Sequence, residues 1–397
     1  MPNAMSRSTA LQDAELPAST ADSAVASPSI EQALSALNEA REDTLTLIAA
    51  VSDEDLKRVH SSIMSPLVWD LGHIAAYEDL WLGNRLAGLE LLRGDLAELY
   101  DAFETPRAVR GEIEALGPAE ARDYLAAVRS RTIDAIAQNG LGDGTIYEMV
   151  LRHEYQHSET MRQTMAIAGL LPSGDDMKLS APLPPTRGGV GQWIAMPAGP
   201  FAMGAGGEGF AYDNERPRHT VDVDAFQIAH HPVSNASWMA FSEGGGYERR
   251  EWWSDEGWAW KQEYDITEHP AITAGDFEAP ACHVSWFEAD AFARAHDARL
   301  PTEAEWERAA TWEQETPVGI GRVWEWTSSA FHGYPGFNAY PYREYSEVFF
   351  GEDYRVLRGG SWATHPRVAT PTFRNWDLPL RRQIFAGVRL ARDESQT

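Results

Sequence analysis

The chain is almost without cysteine. Of its 397 residues only Cys282 carries a thiol, which excludes an intrachain disulfide, a cysteine-rich zinc site and an iron–sulfur cluster held by several thiolates. Any resident metal must therefore rest on His, Asp or Glu. Excess positive charge is lacking too. The formal net charge is −27, and a surface of that sign repels nucleic acid and anionic lipid, whose binding needs clustered Lys and Arg. No apolar run approaches the roughly 18 residues that a membrane helix needs. The opening stretch "MPNAMSRSTALQDAELPASTADSAVASPS" has no basic segment followed by an apolar one, so no secretory signal is read there and cytoplasmic residence is expected. Its Ala, Ser, Thr and Asp content suits a disordered leader over residues 1–29.

What is present is the composition of a globular protein, 43% hydrophobic and 23% charged, at a length that suggests two domains. In "EQALSALNEAREDTLTLIAAV" the residues Leu34, Leu37, Leu45 and Ile48 fall close to one face of a helical period, with acids and Arg41 opposite. "SPLVWDLGHIAAYEDLWLGNRL" begins with Ser65 as the expected N-cap and Pro66 in the first turn, and runs without a breaker through Leu82. "PAEARDYLAAVRSRTIDAIAQNG" starts at Pro118 and stops at Asn139-Gly140, and "TIYEMVLRHEYQHSETMRQTMAIAGLLP" closes at Gly169 and Pro172. Four long amphipathic helices predict a bundle over residues 30–172. Pro and Gly then break every period between 173 and 189, which reads as a linker. Residues 190–397 predict an irregular α+β domain with short alternating segments and helices near "SWFEADAFARAHD" and "TEAEWERAA".

Within the fourth helix, "HEYQH" places His153 and His157 at i and i+4, on one face and close enough for both imidazoles to reach one ion. They share that face with Met149, Val150, Thr160, Met161 and Thr164. His73 lies on the apolar stripe of Trp69, Tyr77 and Leu80, where an unpaired imidazole is costly. Three inward histidines on two helices point to a metal. The spelling His153-Glu154-Tyr155-Gln156-His157 also matches a zinc protease signature. The continuation does not, because Thr160 and Gln163 stand where the long form needs Gly and His, and no Glu occurs from 160 to 207. An all-histidine set leaves positions open on a d-block ion and suits Fe(II) as well as Zn. Glu154 is then a surface group or one that supports the ligands from behind.

Taken together, "SPLVWDLGHIAAYEDLWL", "LYDAFETPRAVR", "HEYQHSETM", "RLPTEAEWERAA", "GRVWEWTSS", "VLRGGSW" and "FRNWDLPLRRQIFAGVRLA" resemble, in this order and from about residue 30 to 393, the ergothioneine-biosynthesis sulfoxide synthases. The resemblance implies a DinB-like four-helix bundle followed by a C-type-lectin-like domain of the formylglycine-generating-enzyme (sulfatase-modifying-factor) kind. It implies a nonheme Fe(II) on His73, His153 and His157, with O2 as co-substrate, joining a thiol to the imidazole of N-trimethylhistidine (hercynine). Gln156, Asn375 and Trp376 are its hercynine-binding positions, and an aromatic face such as Trp376 suits a quaternary ammonium. Arg107, Asp377 and Arg381 are its positions for γ-glutamylcysteine, whose carboxylates and α-ammonium call for guanidinium and carboxylate partners. Taken alone, each arginine is an ordinary solvated charge, and Asp377 and Arg381 would pair at i,i+4 if that stretch were helical.

The family's tyrosine, which supplies a proton during the reaction with O2, falls on Tyr342, with Tyr334, Tyr340 and Tyr345 close enough in sequence to compete. The donor stays open between γ-glutamylcysteine, cysteine and the selenosugar used by a sister group. A non-catalytic relative that binds a small cationic ligand is the reading from another class. A monomer is expected. True formylglycine-generating enzymes bind copper through two cysteines, which Cys282 alone cannot repeat; it reads as a small core residue. His219, His230, His231, His283 and the Arg358-Gly359-Gly360-Ser361-Trp362 block read as scaffold.

Overall fold

A computed structural model of the protein describes residues 28–171, 192–270, 277–312 and 318–394. The expected leader, save its last two residues, and the expected linker at 173–189 lie outside the described residues. The contacts divide the chain into two compact units. One holds the described residues up to 171 together with Gly207–Phe210 and Tyr340–Tyr342, and the other holds the rest.

The first unit is built on four long helices. α1 (Ile30–Leu47) starts in a capping box, in which Ser29 accepts from the Gln32 amide and the Gln32 side chain accepts from the Ser29 amide. A short α2 (Asp53–Lys57) follows, capped by Ser52. α3 (Leu67–Glu78) continues without interruption as a π-helix over Asp79–Leu86. α4 (Pro118–Asn139) begins with Pro at its first position and ends at Gly140. α5 (Thr145–Ala168) ends at Gly169. The core between them collects Leu47 and Ile48 with Leu67, Leu71, Ile74, Leu125, Val128, Met161 and Met165.

Two details differ from the sequence reading. α3 begins at Leu67 with Pro66 at the cap position, and the Ser65 hydroxyl instead accepts from Arg110 Nη1 at 2.8 Å. The inward face of α1 is also rotated: Leu45 is exposed, whereas Arg41 is buried. The reason is a core of paired charge. Arg41 Nε lies 2.7 Å from Glu154 and its Nη2 2.8 Å from Glu78, while Arg129 reaches Glu78 at 2.8 Å and Glu154 at 2.9 Å. Two guanidinium groups and two carboxylates thus satisfy one another where α1, α3, α4 and α5 meet. Glu154 belongs to this buried lattice and is not a surface group.

The second unit is α+β. β1 (Trp193–Met196), β4 (Phe226–Ala229) and β9 (Ala391–Asp393) form an antiparallel sheet with β4 central. β2 (Gly199–Met203) pairs antiparallel with β3 (His219–Val223). A four-stranded sheet runs β7 (Asn375–Asp377), β6 (Gly351–Arg358), β5 (Trp324–Phe331), β8 (Ala386–Gly387), with β5 and β8 parallel. Four helices, α6 (Asn235–Glu243), α7 (Asp255–Glu263), α8 (Trp286–Ala295) and α9 (Glu303–Ala310), each start on a Ser or Thr whose side chain accepts a backbone amide. Of these, α8 and α9 are the two legible in the sequence.

Arg358-Gly359-Gly360 is scaffold in a specific sense. Arg358 is fully buried against Glu307, and the two glycines hold φ of 95° and 76°, a region in which a Cβ is strained. A Cβ on Gly359 would also lie 2.9 Å from the Trp306 ring. Cys282 is only partly buried rather than a core residue.

Candidate metal centre

His73 on α3 and His153 and His157 on α5 converge in the first unit. Their ring centroids are 4.5 to 4.9 Å apart, and one nitrogen from each falls within 4.8 Å of the other two. No carboxylate joins the group among the described residues.

Hydrogen bonding decides which nitrogens face the centre. His73 Nδ1 lies 2.6 Å from the carbonyl oxygen of Tyr100. A carbonyl can only accept, so Nδ1 carries the hydrogen and Nε2 presents its lone pair. His157 Nδ1 lies 3.0 Å from Asp70 Oδ1, and the same reasoning leaves its Nε2 as the ligand atom. The Nε2 atoms of His73 and His153 are 3.1 Å apart. Two nitrogens each bound at about 2.1 Å and at a right angle on one d-block ion would sit about 3 Å from each other. The spacing of this pair and the convergence of the third histidine fit such an ion, which His73, His153 and His157 would hold.

The surroundings favour the neutral form of His73 and His153, the form in which an imidazole ligates a metal. Burial pushes His73 well below the usual histidine range, and the neighbouring His157 adds to it. His153 is pushed the same way by burial, then by His157 and His73. Trp69 stacks on His73 with centroids 4.8 Å apart and planes 13° from parallel. Tyr77 lies flat against His153 at 3.6 Å and 8°.

The four competing tyrosines separate cleanly. The Tyr342 hydroxyl is 3.1 Å from the Tyr77 hydroxyl, and its ring stacks on Trp81 at 5.1 Å; all three belong to the unit that holds the histidines. Tyr340 belongs to the same unit and interacts with Asp143 and Thr145. Tyr334 is buried in the second unit, where Arg374 lies 4.2 Å over its ring. Tyr345 stacks on Tyr212 at 4.3 Å and meets Trp376 edge-on at 5.8 Å.

Of the remaining expected site residues, Gln156 is half-buried on α5 beside His157, and Arg107 is exposed at the start of a 3-10 turn, Arg107–Val109. Asn375, Trp376 and Asp377 form β7 in the second unit, so the helical pairing considered for Asp377 and Arg381 does not occur. A turn after the strand brings the buried Arg381 back, its Nε 3.4 Å from Asp377 Oδ2. Trp376 stacks on Phe331 at 4.2 Å and packs beside Phe349.

Asp70 and the Tyr100 carbonyl escaped the sequence reading. Asp70 had a signal, an acid three residues before His73 in the apolar first half of the helix. The carbonyl had none, since a backbone oxygen reached across 27 residues carries no residue type.

Two family descriptions match the chain: the DinB superfamily over residues 36–161, and the sulfatase-modifying factor enzyme 1-like domain over 180–316 and 319–394. The hercynine oxygenase of Mycolicibacterium thermoresistibile is 42% identical over 422 aligned residues, covering 90% of this chain and 94% of that protein. That of Mycobacterium tuberculosis is 41% identical, covering 91% and 99%. A formylglycine-generating enzyme of Streptomyces coelicolor is 35% identical over 33% of this chain and 54% of its own length. A helical unit carrying three convergent histidines, an α+β unit of the sulfatase-modifying-factor kind and this level of identity over nearly the whole length together make the chain an enzyme that belongs to the hercynine oxygenase family.

Proposed function

We propose that the protein is an iron(II)- and O2-dependent sulfoxide synthase that forms a carbon–sulfur bond between hercynine and a thiol, γ-glutamylcysteine, in ergothioneine biosynthesis. The observation that carries this reading is the histidine set: three imidazoles with their Nε2 atoms turned inward and no carboxylate among them. Such a set suits Fe(II) and leaves room for O2 and substrate. When bound, the iron supplies the electrons with which O2 is activated.

The chain's own groups then have defined work. Gln156, Asn375 and Trp376 would bind hercynine, with the Trp376 face against the trimethylammonium. Arg107 and Arg381 would hold the two carboxylates of γ-glutamylcysteine and Asp377 its α-ammonium. Tyr342, whose hydroxyl is held by Tyr77, would supply the proton that commits the reaction to the carbon–sulfur bond rather than to oxidation of the thiol alone.

The test is direct. Metal-free protein titrated anaerobically should take up one Fe(II) per chain, and His153→Ala should abolish that uptake. With hercynine offered γ-glutamylcysteine, cysteine and a selenosugar in parallel, mass spectrometry should find the γ-glutamylcysteine adduct dominant and O2 consumed with it. Full iron binding in His153→Ala, or ligand binding without O2 consumption, would overturn the assignment.

A further inference from the structure

Tyr77 touches both halves of the proposed centre. Its ring covers His153 with centroids 3.6 Å apart and planes within 8°, and its hydroxyl stands 3.1 Å from that of Tyr342. It sits one turn after His73, with ring centroids 6.2 Å apart, and one turn before Trp81, at 6.1 Å. Trp81 in turn stacks on Tyr342 with planes 28° apart and is itself buried. The helix changes from α to π directly after Tyr77 and Glu78, over Asp79–Leu86, and such wide turns concentrate at functional sites because they re-aim side chains. Here the π turn carries Trp81, so one continuous helical segment presents His73, Tyr77 and Trp81 in succession along the proposed centre.

We propose that Tyr77 is a positioning residue with two separable duties: its ring fixes the plane of the His153 imidazole for metal binding, and its hydroxyl fixes the phenol of Tyr342. This rests on the reading of Tyr342 given above. The two duties belong to different atoms, so two substitutions divide them. Tyr77→Phe keeps the ring and removes the hydroxyl, whereas Tyr77→Leu removes both.

The experiment uses the full-length protein, with folding of each variant checked by thermal unfolding. Metal-free protein is titrated anaerobically with Co(II), and its visible absorption spectrum is recorded. Tyr77→Phe should keep the Co(II) affinity and spectrum of the parent, and Tyr77→Leu should weaken affinity about tenfold and alter the spectrum, as loss of a group that orients a ligand does. In turnover, Tyr77→Phe should lower the ratio of carbon–sulfur product to oxidised thiol roughly fivefold, the weight of one hydrogen bond. Tyr77→Phe combined with Tyr342→Phe should behave as Tyr342→Phe alone. Unchanged Co(II) affinity in a folded Tyr77→Leu overturns the first duty. A product ratio unchanged in Tyr77→Phe but lowered in Tyr342→Phe overturns the second while leaving Tyr342 its role. If Tyr342→Phe also leaves the ratio unchanged, the reading of Tyr342 has failed and the second duty falls with it.

Discussion

Asp70 is a buried acid that accepts a hydrogen bond from His157 Nδ1. The carboxylate both fixes the tautomer and raises the basicity of the opposite nitrogen. Asp70→Ala is therefore expected to weaken Fe(II) or Co(II) binding by about 10- to 100-fold, read by anaerobic titration of the metal-free protein. Asp70→Asn should lose less, because its amide oxygen can still accept. Gly72, beside His73, is a second sensitive position. A Cβ there would lie 2.1 Å from the Tyr100 ring, whose hydroxyl accepts from the Leu116 amide at 3.0 Å. Gly72→Ala must displace Tyr100, and with it the carbonyl that orients His73. The expected cost is about 1–3 kcal/mol, measured by urea unfolding, accompanied by weaker metal binding. At this scale the histidines were legible from their i,i+4 spacing and inward faces. Their orienting groups were not, because those contacts span 87 and 27 residues of sequence.

The four long helices of the first unit are joined by Arg41, Glu78, Arg129 and Glu154, one from each. Removing a single member strands an opposite charge away from water. Arg129→Met should therefore cost about 3–5 kcal/mol, seen as a lowered urea midpoint for the unit. The same lattice sets a pH dependence. Burial alone would raise Glu78, but Arg129 and Arg41 overcome it and hold the carboxyl at about 2 against an ordinary 4.5. A carboxyl depressed in the folded state contributes stability that is complete above its unfolded value and is lost as pH falls. The unit should thus weaken progressively between pH 4.5 and 2, and Glu78→Gln should flatten that part of the profile. Helix existence followed from apolar period, Pro118 and the closing glycines. The burial of Arg41 did not, since a charge on a helix reads as solvent-facing until a partner on another element is known.

For the whole molecule the property to test is the choice of thiol donor. The second unit holds Asn375, Trp376, Asp377 and Arg381 on one strand and the turn that follows it. If Arg381 grips a carboxylate of γ-glutamylcysteine, Arg381→Ala should raise the KM for that thiol by tenfold or more, on the order of the 1.5–3 kcal/mol of a hydrogen bond to a charged group. The KM for hercynine should change little, and the preference over free cysteine should narrow. Steady-state kinetics with each substrate varied in turn checks this. A collapse of hercynine binding with unchanged thiol kinetics would assign the strand to the betaine instead.

The sequence by itself determined what local chemistry can determine. Helical period and breakers marked out the bundle, a lone cysteine excluded thiolate metal sites, and the order of the motifs pointed to the family. Tertiary structure decided the rest: that Arg41 and Glu154 face inward, that Asp70 and a backbone carbonyl set the tautomers, and that Tyr342, rather than Tyr334 or Tyr345, shares a unit with the histidines. The physical reason is common to all three. A side chain's partner is chosen by distance in space, and burial makes that choice decisive because an unpartnered polar group away from water is costly. Spacing along the chain predicts such partners only within a few helical turns, and each of these contacts spans far more.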